Sequence, residues 1–252
     1  MTAPVFVVEG GALARAAAGD VVPLDGPEGR HAAAVKRLRA GEAVVLADGA
    51  GRGVDGVVDA VRGKDGIDVR VEAVRDEAPP APRVTVVQAL PKGDRGELAV
   101  ETMTEVGVDA VVPWSAARCV TRWSGPRGEK ALGKWRATAR EAGKQARRLR
   151  FPEVAPPAST AEVAERVAAA DVAVVLHEAG AAAFASLAAS GLGEAREVLL
   201  VVGPEGGIAP EELERFTAAG ASVCRLGPSV LRTSTAGVVA AGLVLAASGR
   251  WR

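Results

Sequence analysis

Two rhythms of apolar residues divide the chain. Over residues 1–77, short valine-rich runs stand between glycine turns: VFVV (5–8), AVVLAD (43–48), GVVDAV (56–61) and IDVRVEAV (67–74). Runs of this length and composition predict strands. The last one alternates, which places Ile67, Val69, Val71 and Ala73 on one face. Between the first two, HAAAVKRLRAG predicts a short basic helix ending at Gly41. This half reads as a small β-rich module closed as a barrel.

DEAPPAPR (76–83) follows. Pro79, Pro80 and Pro82 favour extended backbone and forbid a helix interior or a central strand, so a domain boundary is expected here. Beyond it, the apolar runs VTVVQAL (84–90), AVVPW (110–114), VAVVLH (172–177), VLLVVG (198–203) and SVCRLG (222–227) alternate with helical stretches. Unbroken apolar runs suit strands covered on both faces, as in a parallel sheet. Ser159 and Glu162 have capping-box spacing, and Pro210-Glu211-Glu212 marks a helix start with Gly220 as its stop. The expected architecture is an α/β domain over 83–252 beside the smaller domain of 1–77.

Two helical stretches have faces that bear on function. Over 127–149, Leu132, Trp135, Ala139, Ala142, Ala146 and Leu149 make an apolar stripe, and Arg136, Arg140, Lys144 and Arg148 make a basic row. The row is either a solvated face or a phosphate-binding one. Over 234–248 no polar face is left, so that helix is expected to be buried, in the monomer core or in a subunit interface.

Composition narrows the classes. With 252 residues, 48% of them hydrophobic and 25% charged, the chain is neither disordered nor collagen-like. The longest uncharged run, 233–249, is short for a membrane helix, and MTAPVFVVEGG lacks the basic start of a signal peptide. Cys119 and Cys224 make no disulfide framework, and with only His31 and His177 no metal site is expected. A cytoplasmic protein without membrane or metal fits. The net charge is zero, yet residues 127–150 carry nine basic and two acidic side chains, whereas 153–220 carry three and eleven.

Chemistry is expected at three strand ends: His177-Glu178, then Gly203-Pro204-Glu205-Gly206-Gly207, then Gly227-Pro228-Ser229-Val230-Leu231-Arg232-Thr233. Ligands of open α/β sheets bind beyond the carboxyl ends of strands, and glycine lets backbone approach them closely. No P-loop or dinucleotide fingerprint is present, which disfavours an NAD-dependent oxidoreductase, and there is no G-x-S-x-G elbow.

LLVVGPEGGIAPEELERF followed by LGPSVLRTSTAGVVAAG resembles the C-terminal signature of the RsmE family of SPOUT methyltransferases. PKGDRGELAVETMTEVGVDAVVPWSAARCV resembles that family's first βαβ unit, and HAAAVKRLRAGEAVVLADGAG its small PUA/OB-like RNA-binding domain. The resemblance covers nearly the whole chain. It implies a homodimer whose larger domain, with a parallel sheet and a trefoil knot, uses S-adenosylmethionine to methylate uridine N3 in 16S ribosomal RNA of the small subunit. On that reading the cofactor residues are Leu176, His177, Glu178, Val202, Gly203, Pro204, Glu205, Gly206, Gly207, Leu226, Gly227, Ser229, Val230, Leu231 and Thr233. Arg232 would stabilise the uridine anion, its alternative role being an ion pair across a subunit interface. Glu205 would hydrogen-bond or accept the N3 proton. RNA would lie on Arg30, Lys36, Arg37 and Arg39 in the small domain, and on Arg136, Arg140, Lys144, Arg147, Arg148 and Arg150. Ser234 stands where the family often has glutamate, and Thr102 where many members have lysine. Those departures keep open a non-catalytic RNA-binding or ribosome-assembly protein on the same fold.

Overall fold

The computed structural model describes residues 3–9, 11–192 and 194–251. They form two compact units, residues 1–79 with 143–151 and residues 80–142 with 152–252. The linear division into 1–77 and 83–252 therefore misses one feature: the stretch 143–151 returns to the first unit.

The first unit contains β1 (Val5–Val7), β2 (Val21–Leu24), α1 (Gly26–Arg30), β3 (Ala43–Ala47), β4 (Arg52–Arg62) and β5 (Gly66–Asp76). They make one five-stranded sheet in the order β1-β3-β4-β5-β2. The strand β2 was not expected; it is a short edge strand interrupted by Pro23, which lacks the N–H a central strand needs. In β5 the expected alternation holds for Ile67, Val69 and Val71, which are buried, and fails at Ala73, which is exposed. The pairing register explains this. Asp55 faces Ala73 but Gly56 faces Val71, so Glu72 is an extra residue, and the bulge turns Val74 toward the core instead.

The basic helix also ends sooner than expected. A π-turn over His31–Val35 continues α1, and Arg37 takes a left-handed conformation (φ 54°). Lys36, Arg37 and Arg39 thus occupy the turn after the helix, exposed to solvent. Leu149, from the returning stretch, is buried with Val5, Val45 and Ala47.

The second unit runs β6 (Arg83–Ala89), α2 (Arg95–Val106), β7 (Ala110–Trp114), α3 (Gly125–Gln145), β8 (Glu153–Val154), α4 (Thr160–Ala169), β9 (Val172–Leu176), β10 (Ala182–Ala183), α5 (Phe184–Gly191), β11 (Glu197–Val202), α6 (Pro210–Ala218), β12 (Ser222–Arg225) and α7 (Thr233–Ala247). Seven strands pair in parallel in the order β10-β12-β9-β11-β6-β7-β8. The apolar runs are buried on both faces as expected: β7 is buried throughout, and β6 and β11 everywhere but at their first residue. Ser159 and Glu162 cap α4 reciprocally.

The helix α7 packs beside α2 and on the sheet. Gly237 makes this possible, since an added methyl there would lie 2.9 Å from Met103 Sδ. Its burial is incomplete, contrary to the all-apolar pattern: Ala240, Ala241, Val244 and Leu245 are covered, while Val239 remains 40% exposed. No helix among the described residues is long and apolar enough to cross a membrane.

Candidate active site

β12, β9 and β11 are neighbours in the sheet, so the three glycine-bearing turns that follow them come together at its carboxyl edge. They enclose a cavity of about 400 Å³. Leu176, His177 and Glu178 enter it from β9, Val202, Gly203, Pro204, Glu205 and Gly207 from β11, and Leu226, Gly227, Ser229, Val230, Leu231, Arg232 and Thr233 from beyond β12. Of the residues singled out for the cofactor, Gly206 alone does not line the cavity; its carbonyl accepts a hydrogen bond from Arg118 Nη1 at 3.3 Å. Sequence reasoning missed Arg95, Arg225, Ile208, Pro228 and Ala236. Pro228 stood inside the quoted loop, and Arg95 inside the first βαβ motif, but neither carried a spacing signal.

Several contacts fix the shape of the turns. Gly203 has no room for a side chain, because an added methyl would lie 2.7 Å from Ile208 Cγ1. The Thr233 hydroxyl, at the start of α7, donates to the Gly203 carbonyl at 2.8 Å. It accepts in turn from Gln88 Nε2 at 2.9 Å. Gln88 is fully buried at the end of β6, and its Nε2 also donates to the Ala89 carbonyl. One chain of hydrogen bonds therefore ties β6, the turn after β11 and the loop after β12 together. His177 Nδ1 accepts from the Ala179 N–H at 3.1 Å.

The cavity has both signs of charge. Glu205 Oε1 accepts from the Lys92 N–H at 3.2 Å and lies 3.9 Å from Arg95, while no described residue hydrogen-bonds Oε2. Arg232 is exposed at the cavity edge, and its guanidinium has no partner among the described residues. Backbone N–H groups of Gly227, Ser229, Val230 and Leu231 likewise find no acceptor among the described residues. Unpaired amides lining a concave site are what a polar heterocycle requires. Neither departure from the family pattern reaches the cavity. Ser234 is buried in the first turn of α7, and the Thr102 hydroxyl donates to the Leu98 carbonyl of its own helix.

The basic residues proposed for RNA are placed unequally. In the first unit Arg30, Lys36, Arg37 and Arg39 are exposed, with Arg30 facing Asp65 at 3.7 Å. On α3, Arg136 is exposed and donates to the Val154 carbonyl, and Arg140 is half-buried. Lys144 corrects the expectation: it is 8% exposed, and its ammonium lies 2.8 Å from the Glu28 carboxylate. A lysine committed to a buried ion pair offers nothing to a phosphate. Arg148 falls beyond the end of α3, so it does not continue the row. Exposed Arg147 takes a left-handed turn (φ 57°), and half-buried Arg150 donates to the Glu77 carbonyl.

Residues 78–245 match the family described as RNA methyltransferase domain, and residues 24–72 match the RNA methyltransferase PUA domain. A Mycobacterium bovis protein named ribosomal RNA small subunit methyltransferase E is 49% identical over 237 residues, which cover 92% of this chain and 89% of that protein. The chain belongs to this RNA methyltransferase family. A Legionella pneumophila structure in complex with S-adenosylmethionine, 26% identical, matches with a TM-score of 0.84 over 98% of each chain. A family member from Neisseria gonorrhoeae, solved bound to S-adenosylmethionine and 23% identical, shares the fold with a TM-score of 0.77 over 97% of this chain and 98% of that one.

Proposed function

We propose that this RNA methyltransferase transfers the methyl group of S-adenosylmethionine to N3 of a uridine in 16S ribosomal RNA of the small subunit. One observation carries the reading: three adjacent strand ends close a cavity lined by backbone donors, with a guanidinium at its edge, and among the described residues neither has a partner. S-adenosylmethionine, when bound, supplies an electrophilic methyl on a sulfonium. The unpaired amides of Gly227, Ser229, Val230 and Leu231 suit its adenine, and the carboxylates of Glu178 and Glu205 favour its positive charge.

Uridine N3 carries a weakly acidic proton, so the nucleophile is the deprotonated base. Arg232 stabilises that anion, for which its unpartnered guanidinium is suited. Glu205 takes the proton on Oε2, because Oε1 is already held by the Lys92 N–H. Gln88 and Thr233 act at one remove, by keeping the turns that frame donor and acceptor in register.

The remaining parts of the reading follow from placement. The first unit, a small PUA/OB-like β-barrel left open between β1 and β2, carries RNA on Arg30, Lys36, Arg37 and Arg39 and on Arg147, Arg148 and Arg150 of its returning stretch, and the larger unit adds Arg136 and Arg140. The chain beyond β12 threads as a trefoil knot; in support, β12 pairs with β9 on the side away from β11, yet Thr233 returns to Gly203 at the end of β11. The protein works as a homodimer in the cytoplasm. In support, Leu98 on α2 and Val239 on α7 are 50% and 40% exposed on two helices that pack side by side. The reaction is tested by incubating the protein with S-adenosylmethionine and unmethylated small subunits or naked 16S RNA, then mapping modified nucleotides by mass spectrometry. One new N3-methyluridine is expected; methylation of a ribose or a purine would overturn the assignment.

A further inference from the structure

A second cationic element packs against the turn after β11. The loop 115–124, after β7, contains Arg118 and Arg122 and no acidic residue. It is pinned at three points. Ser115 N–H donates to the Ala158 carbonyl at 3.0 Å, Ala117 N–H to Glu212 Oε1 at 2.8 Å, and the Thr121 hydroxyl to the Pro91 carbonyl at 2.8 Å. Glu212 is the acid that faces this loop. It is buried, and its carboxylate is shared among Ala117 N–H, the Thr160 hydroxyl and Ala209 N–H.

The two guanidiniums are held by carbonyls. Arg122 donates to the Ala116 carbonyl at 3.0 Å and to the Ala117 carbonyl at 2.9 Å, and Arg118 donates to the Gly206 carbonyl. Both side chains are exposed, and neither has an ion-pair partner among the described residues. A carbonyl orients a guanidinium without cancelling its charge, so both remain full cations with donors to spare. Arg118 packs against the turn that follows β11: a methyl added at Gly206 would lie 3.2 Å from both Arg118 Cβ and its carbonyl oxygen. In the same turn Glu205, the residue before Gly206, is loosely paired at 3.9 Å with Arg95, which lines the cavity.

We infer that Arg118 and Arg122, with Arg95 beside them, form a phosphate-binding rim that holds the RNA strand whose target base enters the cavity. The inference rests on the proposed function for the identity of the strand. An oriented cation pair on the loop that packs against the turn after β11, with no ion-pair partner among the described residues, suits the backbone phosphates that flank an inserted base. It supplies near the cavity the anion contact that Lys144 cannot.

The test uses the full chain with unmethylated 16S RNA transcript and, separately, S-adenosylmethionine. In the Arg118→Ala/Arg122→Ala double variant, RNA affinity should fall about tenfold or more at physiological salt. The slope of log K against log salt should flatten by about 1.4, since each of two single-stranded phosphate contacts contributes about 0.7. KM for RNA should rise, cofactor affinity by calorimetry should stay within about twofold, and the Arg118→Lys/Arg122→Lys variant should recover most of the slope. Unchanged RNA affinity and slope would overturn the inference. So would an equal loss of cofactor affinity, which would make the loop a brace for the turn after β11. A wild-type protein that binds neither cofactor nor RNA would instead overturn the proposed function, and the rim with it.

Discussion

The Thr233 hydroxyl spans 2.8 Å to the Gly203 carbonyl, and so joins the first residue of α7 to the turn after β11. Thirty residues of sequence separate the two. Gln88 completes the relay from β6, and its Oε1 is buried without a hydrogen bond, so its amide hydrogens are aimed at Thr233 and Ala89 at the expense of its own oxygen. Replacing Thr233 by valine keeps the volume and removes the bridge. A lost hydrogen bond with an orphaned partner costs about 1–2 kcal/mol, which should weaken S-adenosylmethionine binding about tenfold. Thr233→Ser should restore it. Calorimetric titration of the three proteins reads the difference directly.

Arg232 offers a second test. Removing one donor aimed at developing charge costs about 10²–10³-fold in rate in comparable sites. Arg232→Ala should lose methyl transfer to about that extent, with circular dichroism and the thermal midpoint unchanged because the side chain is exposed and unpartnered. Single-turnover rates with saturating cofactor separate this from a binding defect. Near-wild-type turnover would remove Arg232 from the mechanism.

Lys144 and Glu28 should prove to be stability residues. Their pair is largely buried, and Glu28 Oε2 also accepts from the Val7 N–H at 3.3 Å. Lys144→Ala removes the cation that lies 2.8 Å from a largely buried carboxylate of the first unit, at a cost of about 3 kcal/mol. Lys144→Met with Glu28→Gln should lose less than the single change, since no bare charge remains. Urea unfolding of the single and double variants checks this, and RNA affinity of the folded fraction should be unaffected.

Asp171 gives a pH signature. Its carboxylate accepts from the N–H groups of Glu197 and Arg196, which holds it below the usual carboxylate range. A group whose folded-state affinity for protons is depressed stabilises the fold above its unfolded value and loses that contribution as pH falls through the folded one. Asp171→Asn should therefore lower the urea midpoint at neutral pH and converge with wild type only once the pH has fallen below the usual aspartate range. A gap that persists unchanged in acid would show that shape, and not charge, accounts for the effect.

Much of the site was readable because it lies on contiguous sequence at strand ends. GPEGG and LGPSVLRT each follow a strand and lead toward a helix, and parallel pairing of β9 with β11 and β12 brings them together with His177-Glu178. Arg95 and Arg118 escaped notice because one opens α2 after β6 and the other lies in the loop after β7, where adjacency is set by the sheet order and leaves no mark in spacing. Lys144 shows the converse. Helical period places it in line with Arg140 and Arg136, but period does not reveal what covers each turn, and Glu28 covers this one. In the smaller unit the bulge at Glu72 reversed the face of Ala73, since alternation counts residues and a bulge inserts one.

The most direct test of the central claim is a crystal structure of the protein with S-adenosylmethionine. The account predicts ligand density between the turns that follow β9, β11 and β12, with adenine against the backbone of 227–231 and Arg232 at the opening. Density elsewhere on the chain, with that cavity left to solvent, would contradict it.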